Sequence, residues 1–570
     1  MRVAVTQFAT TLNVQDNLAS CIRIIKKAGE CEPDIIILPE YCNTLPWYVD
    51  HNQAWENALS ATGDFLQKIA QQAITLHCYI VLNATVQRDL SRDHLNGDIK
   101  SNISVTSMVF SPLGELVYQA DKQNLTEQEA TFFSKGSCAA KVLNTPVGML
   151  GILSGSDDLS FQLPRKLAVS GAQLFCHSMN TISFDQSALH GPTRACENRV
   201  FLASSNKVGL SIAKEQLATY ADKKQILEKH LVGVGQSQIV SPNGNVLAKI
   251  AHNDEGFTFA DIDLTQAGIS SKNYLRPDGT ALTEQLRPEL YQQLTPLTLA
   301  AEDLNKLPTT VNVALFTTYK TNDRAIEDVC FYIENNLSDI IQLPELFFVA
   351  DKTILTNEQQ RAEIATLSEQ FITQVSAQLR PFQYVCTSLI IGGEHQAVII
   401  NEHGILAKQQ QLHFCQRYQR TPLGNELTVI KLPLEQGSIR LAMLTADDAN
   451  IPEMVNVAAL NNIQVLLVPF DIQEACEVEY SLLSRAAEHR ICIVAATREK
   501  SFSQSSDKSH KSTGFIANLA SQSALLAQWQ SRKFAGYSNH PLVKYQHGKI
   551  TKALIHPITA CSKKVGLHHS

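Results

Sequence analysis

The strongest constraint on the fold of this 570-residue chain is an internal repeat of short motifs. Five motifs of the first half return in the same order in the second half, which is the pattern that a duplicated domain leaves. The paired segments are 3–5 with 311–315, 34–40 with 339–345, 111–116 with 401–406, 157–158 with 447–448, and 194–197 with 485–488. Chance can supply one such match but hardly five in order. The sequence therefore predicts two similar domains in tandem.

The join between the two halves is predicted from proline and polar residues that interrupt a helical stretch. Pro288, Pro296 and Pro308 fall in this region, and such composition is typical of a linker. We therefore expect a first domain at 1–285, a linker at 286–310 and a second domain at 311–570.

The predicted fold class is α/β, with sheets covered by helices. Short apolar strands alternate with amphipathic segments, and apolar residues spaced for one helix face occur at 17–27. The turn Pro242-Asn243-Gly244 predicts a tight hairpin. The strands expected in the first half are 34–39, 79–84, 104–110, 147–154, 173–177, 201–206 and 236–241.

Composition excludes several classes of protein. A net charge of −7 argues against a broad basic surface for nucleic acid. The apolar runs fall far short of the roughly 18 residues that a membrane-spanning helix needs, and the N-terminus alternates like a strand, so we expect a cytoplasmic protein. The 13 cysteines and 17 histidines show no metal-ligand spacing, which predicts no metal and no disulfide framework.

Polar groups at predicted strand ends are the candidates for chemistry, because loops over an α/β scaffold usually carry function. They are Glu40, Lys122, Glu129, the turn at 154–161 and the Arg194–Glu197 pair. Each has an ordinary structural alternative: a surface carboxylate, a solvated loop charge, a helix cap or an internal ion pair. Taken one at a time, these signals do not identify a site.

Taken together, the motifs resemble those of one family. They are Pro39-Glu40, Lys122 with Glu129, the strand and turn at 148–161, Arg194–Asn198 followed by Asn206 and Gly209, and the hairpin Gly235–Gly244. In this order they resemble the nitrilase, or carbon–nitrogen hydrolase, superfamily, over about 1–265 and again over about 311–560. The resemblance implies an α-β-β-α four-layer sandwich in each half. It also implies hydrolysis of non-peptide carbon–nitrogen bonds by a Glu–Lys–Cys triad without a cofactor.

The resemblance gives roles to particular residues of the first half. Glu40 would take the proton of the nucleophile and Lys122 would stabilise the developing oxyanion, while Glu129 would tune the lysine. Asp158 and Asn206 would lie on the substrate side of the site.

The chain departs from the family at the nucleophile. Counting from neighbouring motifs puts the cysteine position at Gly155 or Ser156, and neither residue is cysteine. In the second half Glu345 remains, but the lysine position falls on Gln411 and the cysteine position on Ala446. We therefore interpret the second half as catalytically inactive with its cation lost.

Three hypotheses follow for the whole protein. The first is a pseudoenzyme whose first domain binds a small amide- or carboxylate-bearing ligand. The second is an active hydrolase that uses Ser156 or a displaced cysteine, either Cys42 or Cys176. The third is a scaffold without a small-molecule role. We also expect the two halves to pair as an intrachain pseudo-dimer, with a homo-oligomer left open and neither nucleic acid nor membrane as a partner.

Overall fold

The computed structural model describes residues 1–88, 102–126, 128–135, 139–224, 227–269, 275–292, 306–316, 322–349, 357–418, 420–503, 509–517 and 550–557. These residues divide into two compact units. The first unit comprises the described residues before 275, and the second comprises those from Leu275 onward.

The boundary between the units lies earlier than the predicted end at residue 285. Arg276 Nη1 lies 3.4 Å from Glu477 Oε1, and Arg287 Nη1 donates a hydrogen bond to the carbonyl of Leu412 at 2.7 Å. These contacts attach 275–292 to the second unit, so this part of the predicted linker at 286–310 belongs to a folded unit. Polar composition did not reveal the contacts, since the partners lie far along the chain. Residues 293–305 of the predicted linker lie outside the described residues.

The strands of the first unit form two facing layers that meet at the end of β1. They hydrogen-bond in the order β5-β4-β3-β2-β1-β9-β8-β7-β6, and β13 pairs antiparallel with β1. The strands are β1 (Arg2–Phe8), β2 (Ile35–Ile37), β3 (Tyr79–Gln87), β4 (Ile103–Phe110), β5 (Leu116–Asp121), β6 (Val142–Thr145), β7 (Gly148–Ser154), β8 (Leu174–Ser178), β9 (Phe201–Leu210), β10 (Val232–Val234), β11 (Gln238–Val240), β12 (Val246–Lys249) and β13 (Gly256–Asp261).

Apolar side chains fill the space between these layers. Val5, Ile37, Leu150, Leu174 and Ala203, from five different strands, belong to one buried cluster. Because β1 and β2 lie in one layer and β7, β8 and β9 in the other, this cluster is the core between two sheets.

Helices cover the outer faces of both sheets. Asn13 begins the first helix by accepting hydrogen bonds from two backbone amides of the first turn, and Leu18 and Ile25 of that helix pack with Phe65 in a second apolar cluster. The helices are α1 (Val14–Gly29), α2 (His51–Asn57), α3 (Asp64–Leu76), α4 (Glu129–Phe132), α5 (Gln162–Val169), α6 (Gly191–Asn198) and α7 (Leu217–Lys224). Since α1 and α3 cover one sheet and α5 and α6 contact β7 and β9, the unit is a mixed α/β fold layered helix–sheet–sheet–helix.

Every strand predicted in the first half is present, with ends that differ by a few residues. The strand expected at 201–206, for example, continues to Leu210. The predicted hairpin turn joins β11 to β12, and Gly244 there has a φ of +86°, a conformation that glycine adopts without strain.

The second unit has the same kinds of layers. One sheet has the order β18-β17-β16-β15-β14-β24, and the other has the order β19-β20-β21-β22-β23. Its strands are β14 (Val311–Leu315), β15 (Ile340–Glu345), β16 (Tyr384–Ile391), β17 (Glu394–Asn401), β18 (Gly404–Gln410), β19 (Val429–Leu434), β20 (Gly437–Met443), β21 (Val465–Pro469), β22 (Cys492–Ser503), β23 (Ser509–Ala517) and β24 (Thr551–Ile555). Its helices are α8 (Leu282–Gln285), α9 (Asn322–Asn335), α10 (Glu358–Gln378), α11 (Ala446–Ala449), α12 (Pro452–Leu460) and α13 (Leu482–His489).

The core of the second unit also lies between its sheets. Val313, Ile340, Leu441, Leu467 and Val494 share one buried cluster, and α9 and α10 cover the outer face of the first sheet through another. In the part of the chain that the structure describes, no helix is long and apolar enough to cross a membrane.

Candidate functional site

A buried lysine joined to two glutamates lies at the strand ends of the first unit. Lys122 directly follows β5, Glu40 follows β2, and Glu129 begins α4. Lys122 Nζ donates hydrogen bonds to Glu40 Oε1 at 3.0 Å and to Glu129 Oε1 at 2.7 Å. The three residues that the family resemblance grouped are therefore in direct contact, although Glu40 and Lys122 lie far apart in sequence.

The two glutamates of this cluster differ in their protonation. Burial raises the pKa of Glu40 to about 7, because it outweighs the nearby Lys122 ammonium. Burial also opposes the charge of Glu129, but the ammonium and the hydroxyl of Tyr41 outweigh it and lower the pKa of Glu129. Burial opposes the Lys122 charge too, yet the two carboxylates raise the pKa of the lysine. Lys122 and Glu129 are thus the charged pair, and Glu40 is the group suited to exchange a proton near neutral pH.

Gly155 is the residue that faces this cluster from the strand–turn segment. A Cβ added at Gly155 would lie 2.3 Å from Lys122 Nζ and 2.5 Å from Glu40 Oε1. The φ of Gly155 is +53°, a left-handed conformation that glycine adopts readily. A side chain at position 155 would thus project into the space where the lysine and the glutamate meet, so the geometry favours Gly155 over Ser156 as the nucleophile position.

The backbone around Gly155 is held by several hydrogen bonds. Its carbonyl accepts one from Gln186 Nε2 at 2.6 Å and lies 2.9 Å from His177 Nε2. The Ser154 amide donates to Asp157 Oδ2 at 2.8 Å, which closes the tight turn after β7. The turn is therefore fixed on both sides of the glycine.

Of the two serines beside Gly155, Ser154 and not Ser156 bonds the cluster through its hydroxyl. Ser154 Oγ donates a hydrogen bond to Glu40 Oε1 at 3.0 Å and accepts one from Asn83 Nδ2 at 2.9 Å. The hydrogen bonds found among the described residues do not include Ser156 Oγ. The prediction of Ser156 as the oxygen nucleophile therefore has no geometric support, because the side chain that contacts the glutamate is two residues earlier.

Comparison with known proteins agrees with this arrangement. A family model of the carbon–nitrogen hydrolases matches residues 2–269. This half of the chain is therefore similar to the carbon–nitrogen hydrolases. A nitrilase of Bacillus sp. is 24% identical over 46% of this chain and 80% of its own length. An omega-amidase of Xenopus tropicalis is 26% identical over 46% of this chain and 88% of its own length. A crystal structure of an amidase from Nesterenkonia sp. aligns with a TM-score of 0.36 at 20% identity, over 46% of this chain and 90% of that chain.

Two residues of the first unit that were expected on the substrate side of the site bind the protein itself. Asp158 is fully buried and accepts a hydrogen bond from Gln186 Nε2 at 2.6 Å. Asn206 is also fully buried, and its side-chain amide bonds the backbone of Thr181 and Gly235. Both side chains hold neighbouring loops in place, and their place on the substrate side stays a prediction.

The displaced cysteines that were considered as nucleophiles lie in apolar surroundings. Cys42 Sγ donates to the carbonyl of Pro39 at 3.1 Å, within the cluster between α1 and the first sheet. Cys176 belongs to the core between the two sheets, and burial raises the pKa of its thiol. A protonated thiol in a dry core is a poor nucleophile, which argues against Cys176, and the Cys42 thiol is bonded to the backbone rather than to Glu40 or Lys122.

Sequence reasoning missed three residues that complete the cluster. Tyr41 donates a hydrogen bond to Glu129, Asn83 orients Ser154, and Lys207 Nζ lies 5.7 Å from the centre of the Tyr41 ring. Burial lowers the pKa of Lys207 to about 7. Tyr41 follows Glu40 directly, and that adjacency was the one available signal, since strand alternation alone gives no reason to single out Asn83 or Lys207.

The second unit retains the glutamate, but the neutral residue at its predicted lysine position forms hydrogen bonds with two histidines. Glu345 ends β15 and is fully buried. Gln411, directly after β18, accepts from His395 Nδ1 at 2.7 Å and donates to the carbonyl of His413 at 2.7 Å. Ala446 begins α11 and is buried, and its methyl group offers no nucleophile.

The interpretation that the second unit has lost its cation is wrong. Arg417 Nη1 lies 3.4 Å from Glu345 Oε2, and Arg417 Nη2 lies 2.8 Å from Asp447 Oδ2. Its guanidinium also pairs with Asp471. A different residue, six positions beyond Gln411, thus supplies the positive charge, and spacing from Gln411 did not indicate it. The guanidinium is nevertheless bound to three carboxylates.

Proposed function

We propose that the first unit is a carbon–nitrogen hydrolase site without its nucleophile, which binds a small ligand bearing an amide or carboxylate group. Hydrolysis there is absent or strongly impaired. The observation that carries this proposal is the glycine at position 155, whose missing side chain would point between Lys122 and Glu40. Loss of the nucleophile of an acyl-transfer triad costs up to about a millionfold in turnover.

The remaining polar groups of the site support the binding of a small ligand rather than a site without a function. The Lys122 ammonium can donate to a carbonyl or carboxylate oxygen, and Glu40 can accept from an amide. Glu40 and Lys122 are only 2% and 4% exposed. A ligand therefore has to displace the end of the Lys122 side chain, which is the flexible group closest to Gly155.

The second unit is proposed to be a duplicated copy that no longer catalyses the reaction. The repeated strand orders and the ordered motif pairs support duplication. Ala446 and Gln411 supply neither nucleophile nor cation, and the carboxylates hold Arg417 in ion pairs. Pairing of the units as an intrachain dimer and assembly into a homo-oligomer stay predictions, as does a cytoplasmic location.

The test is ammonia release from a panel of amides, carbamoyl compounds and nitriles, together with calorimetric binding of the same compounds. We expect the wild-type protein to release no more ammonia than Lys122→Ala, yet to bind at least one compound that Lys122→Ala does not bind. Lys68→Ala is the matched control, since this surface lysine pairs only with Asp64 in the same helix. Ammonia release by the wild type that requires both Glu40 and Lys122 would overturn the proposal.

A second candidate function is slow hydrolysis through a serine, and one observation favours Ser154. Its hydroxyl donates to a carboxylate whose pKa is raised to about 7, which is the geometry of a nucleophile beside a general base. Acylation by an activated ester, followed by intact-mass analysis, tests it. Label lost in Ser154→Ala and kept in Ser156→Ala would favour the serine route. Absence of label in the wild type would exclude it, and absence of both label and binding would leave a scaffold role.

A further inference from the structure

The second unit contains a buried cluster in which carboxylates outnumber cations. Five acidic side chains, each no more than 5% exposed, lie within 4 Å of two guanidinium groups, so the carboxylates outnumber these guanidinium groups by three. The acidic residues are Asp278, Glu345, Asp447, Asp471 and Glu477, and the basic residues are Arg276 and Arg417. An excess of buried charge of this size is unfavourable unless protons or a further cation compensate it.

Three atoms of this cluster converge in the way that metal ligands do. One carboxylate oxygen of Asp278, one of Asp447 and the Sγ of Cys415 all lie within 4.8 Å of one another. Asp447 and Cys415 are each 1% exposed. The three residues come from the segment before α8, the loop after β18 and the start of α11, so their spacing in sequence gave no sign of a site.

Two carboxylate oxygens of these aspartates have no hydrogen-bond partner among the described residues. They are Asp278 Oδ2 and Asp447 Oδ1. The nearest guanidinium nitrogens are Arg417 Nε and Arg276 Nη1, each at 3.8 Å, which is beyond hydrogen-bond reach. Buried carboxylate oxygens are otherwise almost always satisfied, and a bound cation would satisfy both of them.

We propose that the second unit binds a Zn²⁺ ion through Asp278, Cys415 and Asp447. One thiolate and two carboxylates are an acceptable ligand set for this ion, with a fourth position left for water. The positive charge of the metal would compensate the excess of carboxylates, and its binding would displace the proton of the Cys415 thiol. The site is distinct from the lysine cluster of the first unit and does not depend on the function proposed for it.

Proton uptake is the competing way to relieve the same charge. Burial raises the pKa of Asp447, and it raises the pKa of Glu477 to about 7. The cluster is also faced by His395 of β17, whose Nε2 lies 3.5 Å from Glu345 Oε1. Glu345 on β15 and Arg417 in the loop after β18 belong to the cluster itself. A cluster that is satisfied by protons alone would bind no metal. A metal titration therefore distinguishes the two possibilities.

The experiment is a Co²⁺ titration of the full chain, reduced and stripped of metal with a chelator. We expect one equivalent of Co²⁺ to give a thiolate-to-metal charge-transfer band that Zn²⁺ removes. Cys415→Ser should abolish the band, and Asp278→Asn should weaken Co²⁺ binding by at least about 10-fold. Cys330→Ser is the matched control, because this half-buried thiol of α9 lies in the same unit but outside the cluster.

Two results would overturn the proposal. One is the absence of the band in the wild-type protein, which would mean that protons alone satisfy the cluster. The other is a band that persists in Cys415→Ser, which would mean that another thiol binds the metal. Circular dichroism checks the fold of each variant, and if Cys415→Ser does not fold, the affinity of Asp278→Asn decides.

Discussion

The two units place a glutamate at the end of corresponding strands, yet each binds a different cation. In the first unit Glu40 meets Lys122, which follows β5 directly. In the second, the residue directly after β18 is the neutral Gln411, and Glu345 meets Arg417 instead. The comparison teaches that the charge beside the glutamate is retained in both units, although the residue that carries it is not.

The cations also differ in how strongly the protein binds them. Lys122 contacts two carboxylates, one of which has its pKa raised to about 7. Arg417 pairs with three, and these carboxylates raise its pKa well above its ordinary value despite burial. A planar guanidinium with five donors is suited to such a network. The first unit therefore has a cation bound by two carboxylates, and the second has one bound by a larger acidic network.

The largest expected effect is loss of stability on removing the arginine. Arg417→Met should lower the free energy of unfolding of the second unit by about 3–5 kcal/mol, because it leaves several buried carboxylates without their partner. Lys122→Met should cost the first unit less, since Glu40 can take up a proton near neutral pH. Urea unfolding of both variants, without added metal, measures the difference. Equal losses would contradict the contrast between the two cations.

The next prediction concerns variants that place a cysteine at the nucleophile position of each unit. Gly155→Cys should raise ammonia release by at least about a hundredfold, a small part of what a nucleophile contributes to acyl transfer. The left-handed backbone costs the new side chain roughly 1–2 kcal/mol, and Lys122 must shift to admit it. Ala446→Cys should give no gain, because Gln411 supplies no cation and the carboxylates hold Arg417 in ion pairs. Release by the Ala446→Cys variant alone would reverse the assignment of the two units.

The pH dependence of stability separates Glu40 from ordinary carboxylates. Its pKa is raised from 4.5 to about 7 in the folded state, so the folded protein binds the proton more tightly than the unfolded chain does. The stabilisation of the folded state by this proton on Glu40 is complete below about pH 4.5 and is lost as the pH rises toward 7. Glu40→Gln should therefore gain stability relative to the wild type over this range, on the order of 2 kcal/mol. Chemical unfolding at pH 5 and pH 8 measures it, and a constant difference would contradict the raised pKa.

The smallest prediction concerns the serines beside Gly155. Ser154→Ala should cost about 1 kcal/mol, because it removes a hydrogen bond to a buried carboxylate. Ser156→Ala should change stability by less than about 0.5 kcal/mol. Thermal unfolding of the two variants compares them directly. A larger loss in Ser156→Ala would mean that the hydroxyl of that residue has the contact assigned to Ser154.

The sequence was a good guide to the elements and a weaker one to the contacts between them. Apolar runs predicted the strands of the first unit, because burial on both faces leaves a continuous signal. They did not predict the boundary at 275, which depends on hydrogen bonds of Arg276 and Arg287 with residues more than a hundred positions away. The family resemblance grouped Glu40, Lys122 and Glu129, since its motifs encode a geometry that spacing alone does not.

What the sequence determined by itself was the α/β character, the repeat, and the absence of cysteine at both 155 and 156. Only the tertiary structure decided that Gly155 faces Lys122, that Ser154 rather than Ser156 bonds Glu40, and that Arg417 replaces a lysine. The physical reason is that local patterns report which faces are buried. The direction of a single side chain at a tight turn, and the partner that a buried charge finds, depend on residues brought together from distant strands.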